Sequence, residues 1–189
     1  MNISDSLVYR VATEMDSDSL ATLINSAYRS PVADQGWTNE NTLVLVPRAN
    51  AKSLSNMIQI GKPIMLMFFG EDDQILKGCI CLSPQLESKT ATIGLFAVRP
   101  DFQARGYGKF IISTAEKYAI NSWNVEYIKL SAIVQRPELI NYYIRRGYID
   151  TGKREPFFGP HLTPKCVTRD DLEICTMIKC VKNENGNIS

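Results

Sequence analysis

Val98-Arg99-Pro100-Asp101-Phe102-Gln103-Ala104-Arg105-Gly106-Tyr107-Gly108-Lys109 is the stretch on which the fold turns. An apolar run ends at Val98 and Pro100 breaks it. Gly106 and Gly108 then open a segment in which Ile111, Ala115 and Tyr118 recur at helical spacing. The first N–H groups of such a helix point outward unpaired, beside the positive end of its dipole. Glycine at 106 and 108 lets a ligand approach the backbone, and Arg105 and Lys109 add full positive charge. The combination suits a phosphate or pyrophosphate. Neither common nucleotide pattern fits. A dinucleotide fingerprint wants a third glycine where Ile111 stands; a Walker A loop wants glycine at Gln103 and a hydroxyl residue at Phe110. What remains is Gln-x-x-Gly-x-Gly after a strand end of the form V-x-P.

Upstream of it, Leu7 to Thr13 reads as a strand, and Thr13 or Asp16 can cap a helix over 17–29 whose Leu20, Leu23, Ile24 and Ala27 form one apolar face. Residues 30–50, with Pro31, Gly36 and Pro47, read as a long loop, followed by a short helix over 51–60. Strands over 64–70 and 75–83 flank a hairpin turn at Glu71-Asp72-Asp73-Gln74, and a further strand covers 89–99. Downstream come a helix over 105–122 and a strand from Tyr127 to Val134. A helix over 137–146 follows, punctuated by Pro137 and Gly147, and the last two strands run from Tyr148 and over Leu172 to Val181. This order predicts an α/β chain, a mixed sheet with helices on its faces.

The bulk properties narrow the function. At 189 residues the chain fits one domain, taken as 1–182 with a frayed polar tail, Asn183 to Ser189. A formal charge of +1 argues against a nucleic-acid partner, which wants a strongly basic surface. The charge is uneven, however: Arg99 to Arg154 holds ten Lys and Arg against five Asp and Glu. Such a basic half can attract a compact polyanion. No apolar run approaches the roughly 18 residues of a membrane span, and no secretory leader is visible at Met1 to Asp5. Five cysteines with one histidine, His161, suit a reducing cytoplasm, and zinc would want more Cys and His at recognisable spacing, so no metal is expected.

A second block, Leu139-Ile140-Asn141-Tyr142-Tyr143-Ile144-Arg145-Arg146-Gly147-Tyr148, stands about forty residues after the first. With both blocks in this order, the sequence resembles the GCN5-related N-acetyltransferase (GNAT) superfamily. That family's central motif is Gln/Arg-x-x-Gly-x-Gly/Ala after V-x-P, and its later helix ends L-Y-x-x-x-G-F. The resemblance implies a mostly antiparallel sheet of six to seven strands with about four helices, splayed at the central strands. It also implies acetyl-CoA as co-substrate. Gln103, Ala104, Arg105, Gly106, Tyr107, Gly108 and Lys109 would hold the pyrophosphate, and backbone groups of Phe96, Ala97 and Val98 would pair with the pantetheine arm like an added strand. Tyr143 falls on the family's general-acid position and would also border the cofactor. With an ordinary pKa of about 10 against about 8.5 for a thiol, a phenol can protonate a departing thiolate without a large mismatch. Tyr142, about 100° round the helix, is the weaker candidate.

Two positions depart from the family pattern. Thr92 stands where many members have a glutamate base, and Arg136 stands where an asparagine often begins the second block; Arg136 could reach a phosphate instead. Arg145 and Arg146 read as a solvated helix end. Tyr28, Trp37 and Glu40 are candidates to border the acceptor, with packing an equal alternative for Trp37. The function implied is N-acetylation of a small primary amine by direct attack in a ternary complex, by a monomer or homodimer without membrane or nucleic-acid partners. A protein lysine or N-terminal acceptor stays open. So does a CoA-binding regulatory module, prompted by Thr92.

Overall fold

The path of the chain follows from alternation. Met65, Leu66, Met67 and Phe68 are consecutive and all buried, so their strand has both faces covered, and successive side chains feed two separate cores. A computed structural model describes residues 6–29, 40, 42–157 and 166–182. Among these, the strands β1 (Leu7–Val11), β2 (Ile64–Gly70), β3 (Leu76–Gln85), β4 (Thr90–Val98), β5 (Tyr127–Ile133), β6 (Ile149–Pro156) and β7 (Glu173–Cys180) form one sheet. Its order is β1-β2-β3-β4-β5-β7-β6. Four helices flank it: α1 (Ser17–Arg29), α2 (Ala51–Ile60), α3 (Tyr107–Trp123) and α4 (Pro137–Ile144). The tail 183–189, Trp37 and His161 lie outside the described residues.

Every strand pair is antiparallel except β4 with β5, which α3 joins as a crossover. Helices α1 and α2 cover one face, placing Leu20, Leu23, Ile24, Ala27 and Leu54 on Met65, Met67, Cys79, Cys81 and Ala97. Helix α3 covers the other, where Ile111, Ile112 and Ala115 meet Leu66, Phe68, Ile80 and Leu82. It lies so close that a Cβ built on Gly78 would stand 2.5 Å from Ile111 Cδ1 and 2.9 Å from the Ala97 carbonyl. All five cysteines are free. No helix among the described residues is long and apolar enough to cross a membrane.

Two irregularities in β4 prepare the site. Cys79 pairs with Ala97 while Cys81 pairs with Gly94, so Ile80 alone faces Leu95 and Phe96. The extra residue makes a bulge, and Leu95 takes φ +43° there. On its other edge β4 pairs with β5 only from Thr90–Tyr127 to Ile93–Leu130. Beyond that point β4 runs on to Val98 while β5 follows β7 to Ile133, and the two strands part. The expected central splay is therefore present.

Candidate functional site

At the top of β4 the chain turns through Pro100–Phe102 and enters α3. Ala104 at φ +60° and Gly106 at φ +85° both take left-handed backbone. For alanine this costs on the order of 1 kcal/mol. The N–H groups of Ala104, Arg105 and Gly106 donate to no backbone carbonyl among the described residues. A Cβ built on Gly106 meets nothing within 4 Å. The turn thus leaves N–H groups without backbone partners beside a cavity at a helix start, which is what a pyrophosphate needs.

This turn is one wall of a cavity of about 410 Å³. The cavity runs past Phe96 and Val98 to α4, where Leu139, Tyr142, Tyr143, Arg145 and Arg146 close it. With Lys109 on the α3 side, three cationic side chains and no carboxylate line it among the described residues. The residues present therefore fit a CoA pyrophosphate and pantetheine arm. Two carbonyls expected to receive the arm already accept a side-chain bond: Phe96 O from the Tyr28 hydroxyl (2.8 Å) and Val98 O from Gln103 Nε2 (2.9 Å). Each retains a second lone pair.

Gly108 has another reason to be glycine. A Cβ there would stand 2.7 Å from the Tyr142 hydroxyl, so the space that the sequence suggests for a ligand is taken by a side chain of α4. Arg146 stacks on the Tyr142 ring at 3.2 Å and donates from Nη1 to the Tyr142 carbonyl. Arg145 and Arg146 both line the cavity; Arg145 is also exposed, as a solvated helix end would be. The signal was in the spacing: Leu139, Tyr142, Tyr143 and Arg146 stand at i, i+3, i+4 and i+7, one continuous helix face.

A second cavity, of about 470 Å³, opens between the parted strands. Gly94, Leu95 and Phe96 of β4, Ser131 and Ile133 of β5, Tyr28 and Arg29 of α1, and Glu40, Val44, Val46, Arg48 and Phe157 all line it. Phe96, Leu139 and Tyr143 line both cavities. Tyr143 is buried, with no hydrogen bond to its hydroxyl from the described residues, and its ring packs edge-on against Tyr142 and Tyr148. Burial first, then neighbouring Tyr28 and Tyr142, push its pKa well above the ordinary phenol value, against the opposing pull of Arg136 and Arg146. Burial likewise raises Tyr28 to about 12. Glu40 accepts from Arg29 Nη1 at 2.7 Å, and its other oxygen is 4.0 Å from Arg136.

Several expected residues stand elsewhere. Ala97 is turned into the α1/α2 core, and Tyr107 packs into the α3 core; only their backbones face the turn. Arg105 is exposed, its guanidinium over the Phe102 ring at 5.2 Å. The phosphate role imagined for Arg136 finds no support in its placement. Its guanidinium pairs with Glu138 (2.9 Å) and faces Glu40, because those carboxylates stabilise a buried cation, and it does not line the cofactor cavity. Thr92 lies in the paired stretch, opposite Ser83 and Lys129, and lines neither cavity. Among the described residues no group of three or more His, Cys, Asp or Glu could hold a metal ion.

Comparisons with known proteins give the family and the fold. The acetyltransferase (GNAT) family matches residues 35–148. A spermidine N-acetyltransferase from Vibrio cholerae, solved with CoA and spermine, is similar in structure at a TM-score of 0.69 and 16% identity, covering 92% of this chain and 95% of that one. The same protein solved with manganese ions gives 0.68 at 16% identity, with 95% of each chain covered. A putative phosphinothricin N-acetyltransferase gives 0.67 at 13% identity, covering 94% of this chain and all of that one. No curated protein sequence matches the chain.

Proposed function

Because this chain belongs to the acetyltransferase (GNAT) family and is an N-acetyltransferase, we propose that it moves the acetyl group of acetyl-CoA to the primary amine of a small molecule, by direct attack in a ternary complex. The observation that carries this reading is the meeting of two cavities at Phe96, Leu139 and Tyr143, where β4 leaves β5. One cavity has the cations and backbone donors for a phosphorylated cofactor; the other is sized for a small molecule. The fold-level likeness to an enzyme solved with CoA and spermine agrees with a cofactor and an amine placed this way.

Acetyl-CoA supplies the activated acetyl group as a thioester. The amine nitrogen bonds to the acetyl carbon, the carbon–sulfur bond breaks, the amine gives up one proton and the departing sulfur takes one. Tyr143 lines both cavities, which supports its hydroxyl as the donor to the sulfur. Its raised pKa keeps it protonated at neutral pH. The amine's proton has no carboxylate waiting at Thr92. The cationic groups of the acceptor cavity instead favour the neutral, nucleophilic amine before attack.

Calorimetric titration with acetyl-CoA tests the cofactor half; no binding at millimolar ligand removes the reading. Tyr143→Phe should lower kcat by about 100-fold or more while leaving acetyl-CoA affinity within a few-fold. Since the phenol pKa is raised, the wild-type rate should show no alkaline decline from Tyr143 below pH 10. Unchanged turnover in the variant across pH would remove Tyr143 from the role.

A further inference from the structure

Resting on the reading of the second cavity as the acceptor site, we propose that the acceptor carries a carboxylate as well as its amine, and that Arg48 receives it. Arg29, Arg48 and Glu40 are the charged side chains lining this cavity among the described residues. Glu40 is committed, with one oxygen on Arg29 and the other facing Arg136, so no carboxylate is left over for a substrate cation. A polyamine, whose several cations favour carboxylate partners, finds one among the described residues, already neutralised by arginine. An added cation there would sit against like charge, which costs affinity.

Arg48 is in the opposite condition. Its guanidinium stacks over the Tyr28 ring at 5.5 Å and makes no ion pair or side-chain hydrogen bond with any described residue. Its backbone is fixed independently, because Arg48 N–H and Ala49 N–H both donate to Asn25 Oδ1. Tyr28 in turn reaches Phe96 O at the strand opening. One tyrosine ring therefore separates an uncommitted planar cation from the point where the cavities meet. A guanidinium in that position matches a carboxylate with two parallel hydrogen bonds, and the aromatic stack holds its orientation. Arg29 cannot serve equally, since its Nε and Nη1 are taken by the carbonyls of Val46 and Tyr28 and by Glu40. Arg48 and Tyr143 line the same cavity, so an amino acid would lie in it with its amine toward Tyr143 and its carboxylate toward Arg48.

Matched pairs test this: leucine against isopentylamine, phenylalanine against phenethylamine, with spermidine alongside. Thiol release from acetyl-CoA is followed, and binding to the CoA complex is measured by calorimetry. The expected result is a kcat/KM at least tenfold higher for each amino acid than for its decarboxylated partner. Arg48→Ala should reduce that ratio toward one, Arg48→Lys should restore part of it, and Arg48→Glu should turn the preference toward spermidine. Arg48 is exposed, so these variants should keep the wild-type melting temperature, which the same samples report. Preference for the decarboxylated amines or spermidine, or a ratio untouched by Arg48→Ala, overturns the proposal while N-acetyl transfer stands. Failure of every amine to turn over or bind, with acetyl-CoA bound, overturns the small-amine reading and this proposal with it.

Discussion

Gly106 and Gly108 look interchangeable in the sequence, and the structure separates them. Gly106 is glycine for its φ of +85° and has open space around its Cα; Gly108 is glycine because the Tyr142 hydroxyl lies over it. Alanine at each should therefore fail differently. Gly106→Ala strains the backbone of the pyrophosphate turn by on the order of 1 kcal/mol and should weaken acetyl-CoA binding by about that amount. Gly108→Ala pushes on Tyr142, which shares the wall with Tyr143, and should lower kcat as well as raise the KM for acetyl-CoA. Measuring both constants for both variants separates the two causes. Equal effects on KM alone would show that Tyr142 yields freely.

At the scale of elements, α3 is tied to the β7 and β6 edge of the sheet by a buried carboxylate. Glu116 accepts from the Tyr148 hydroxyl at 2.8 Å and from Lys179 Nζ at 2.6 Å, joining α3, the start of β6 and β7. Glu116→Leu strands an ammonium and a phenol hydroxyl and should cost about 2–4 kcal/mol in urea unfolding, whereas Glu116→Gln keeps an acceptor for Tyr148 and should cost less. Most elements of this fold were legible from the sequence because each carries its own punctuation. The apolar face Leu20, Leu23, Ile24 and Ala27 marks α1, and Pro137 and Gly147 bracket the α4 turn. The glycine turn that opens α3 was legible for the same reason: it is local. Of the second cavity's wall, Tyr28 and Glu40 stood out in the sequence, but the pairing that holds Glu40 did not. Glu40 meets Arg29 across 11 positions and Arg136 across 96, and only tertiary packing joins them. Tyr142 shares the first cavity's wall with Tyr143 although the two stand about 100° apart around the helix. A cavity wrapped around an eight-residue helix takes in both neighbours.

Across the whole molecule, the uneven charge found in the sequence has a place. The segment from Arg99 to Arg154 supplies Lys109, Arg145 and Arg146 to the cofactor cavity, and the same segment contributes Arg136 behind the acceptor wall. The parted strands have one further consequence. Each cavity has its own lining apart from Phe96, Leu139 and Tyr143, so neither ligand has to pass through the other's seat. If the two cavities hold the cofactor and the amine as proposed, either substrate should be able to arrive first, and free CoA should be able to leave while the acetylated amine is still in place. Steady-state velocities should give intersecting double-reciprocal lines, with CoA competing against acetyl-CoA but not against the amine. Parallel lines would mean that the acetyl group rests on the protein between two visits to a single shared seat.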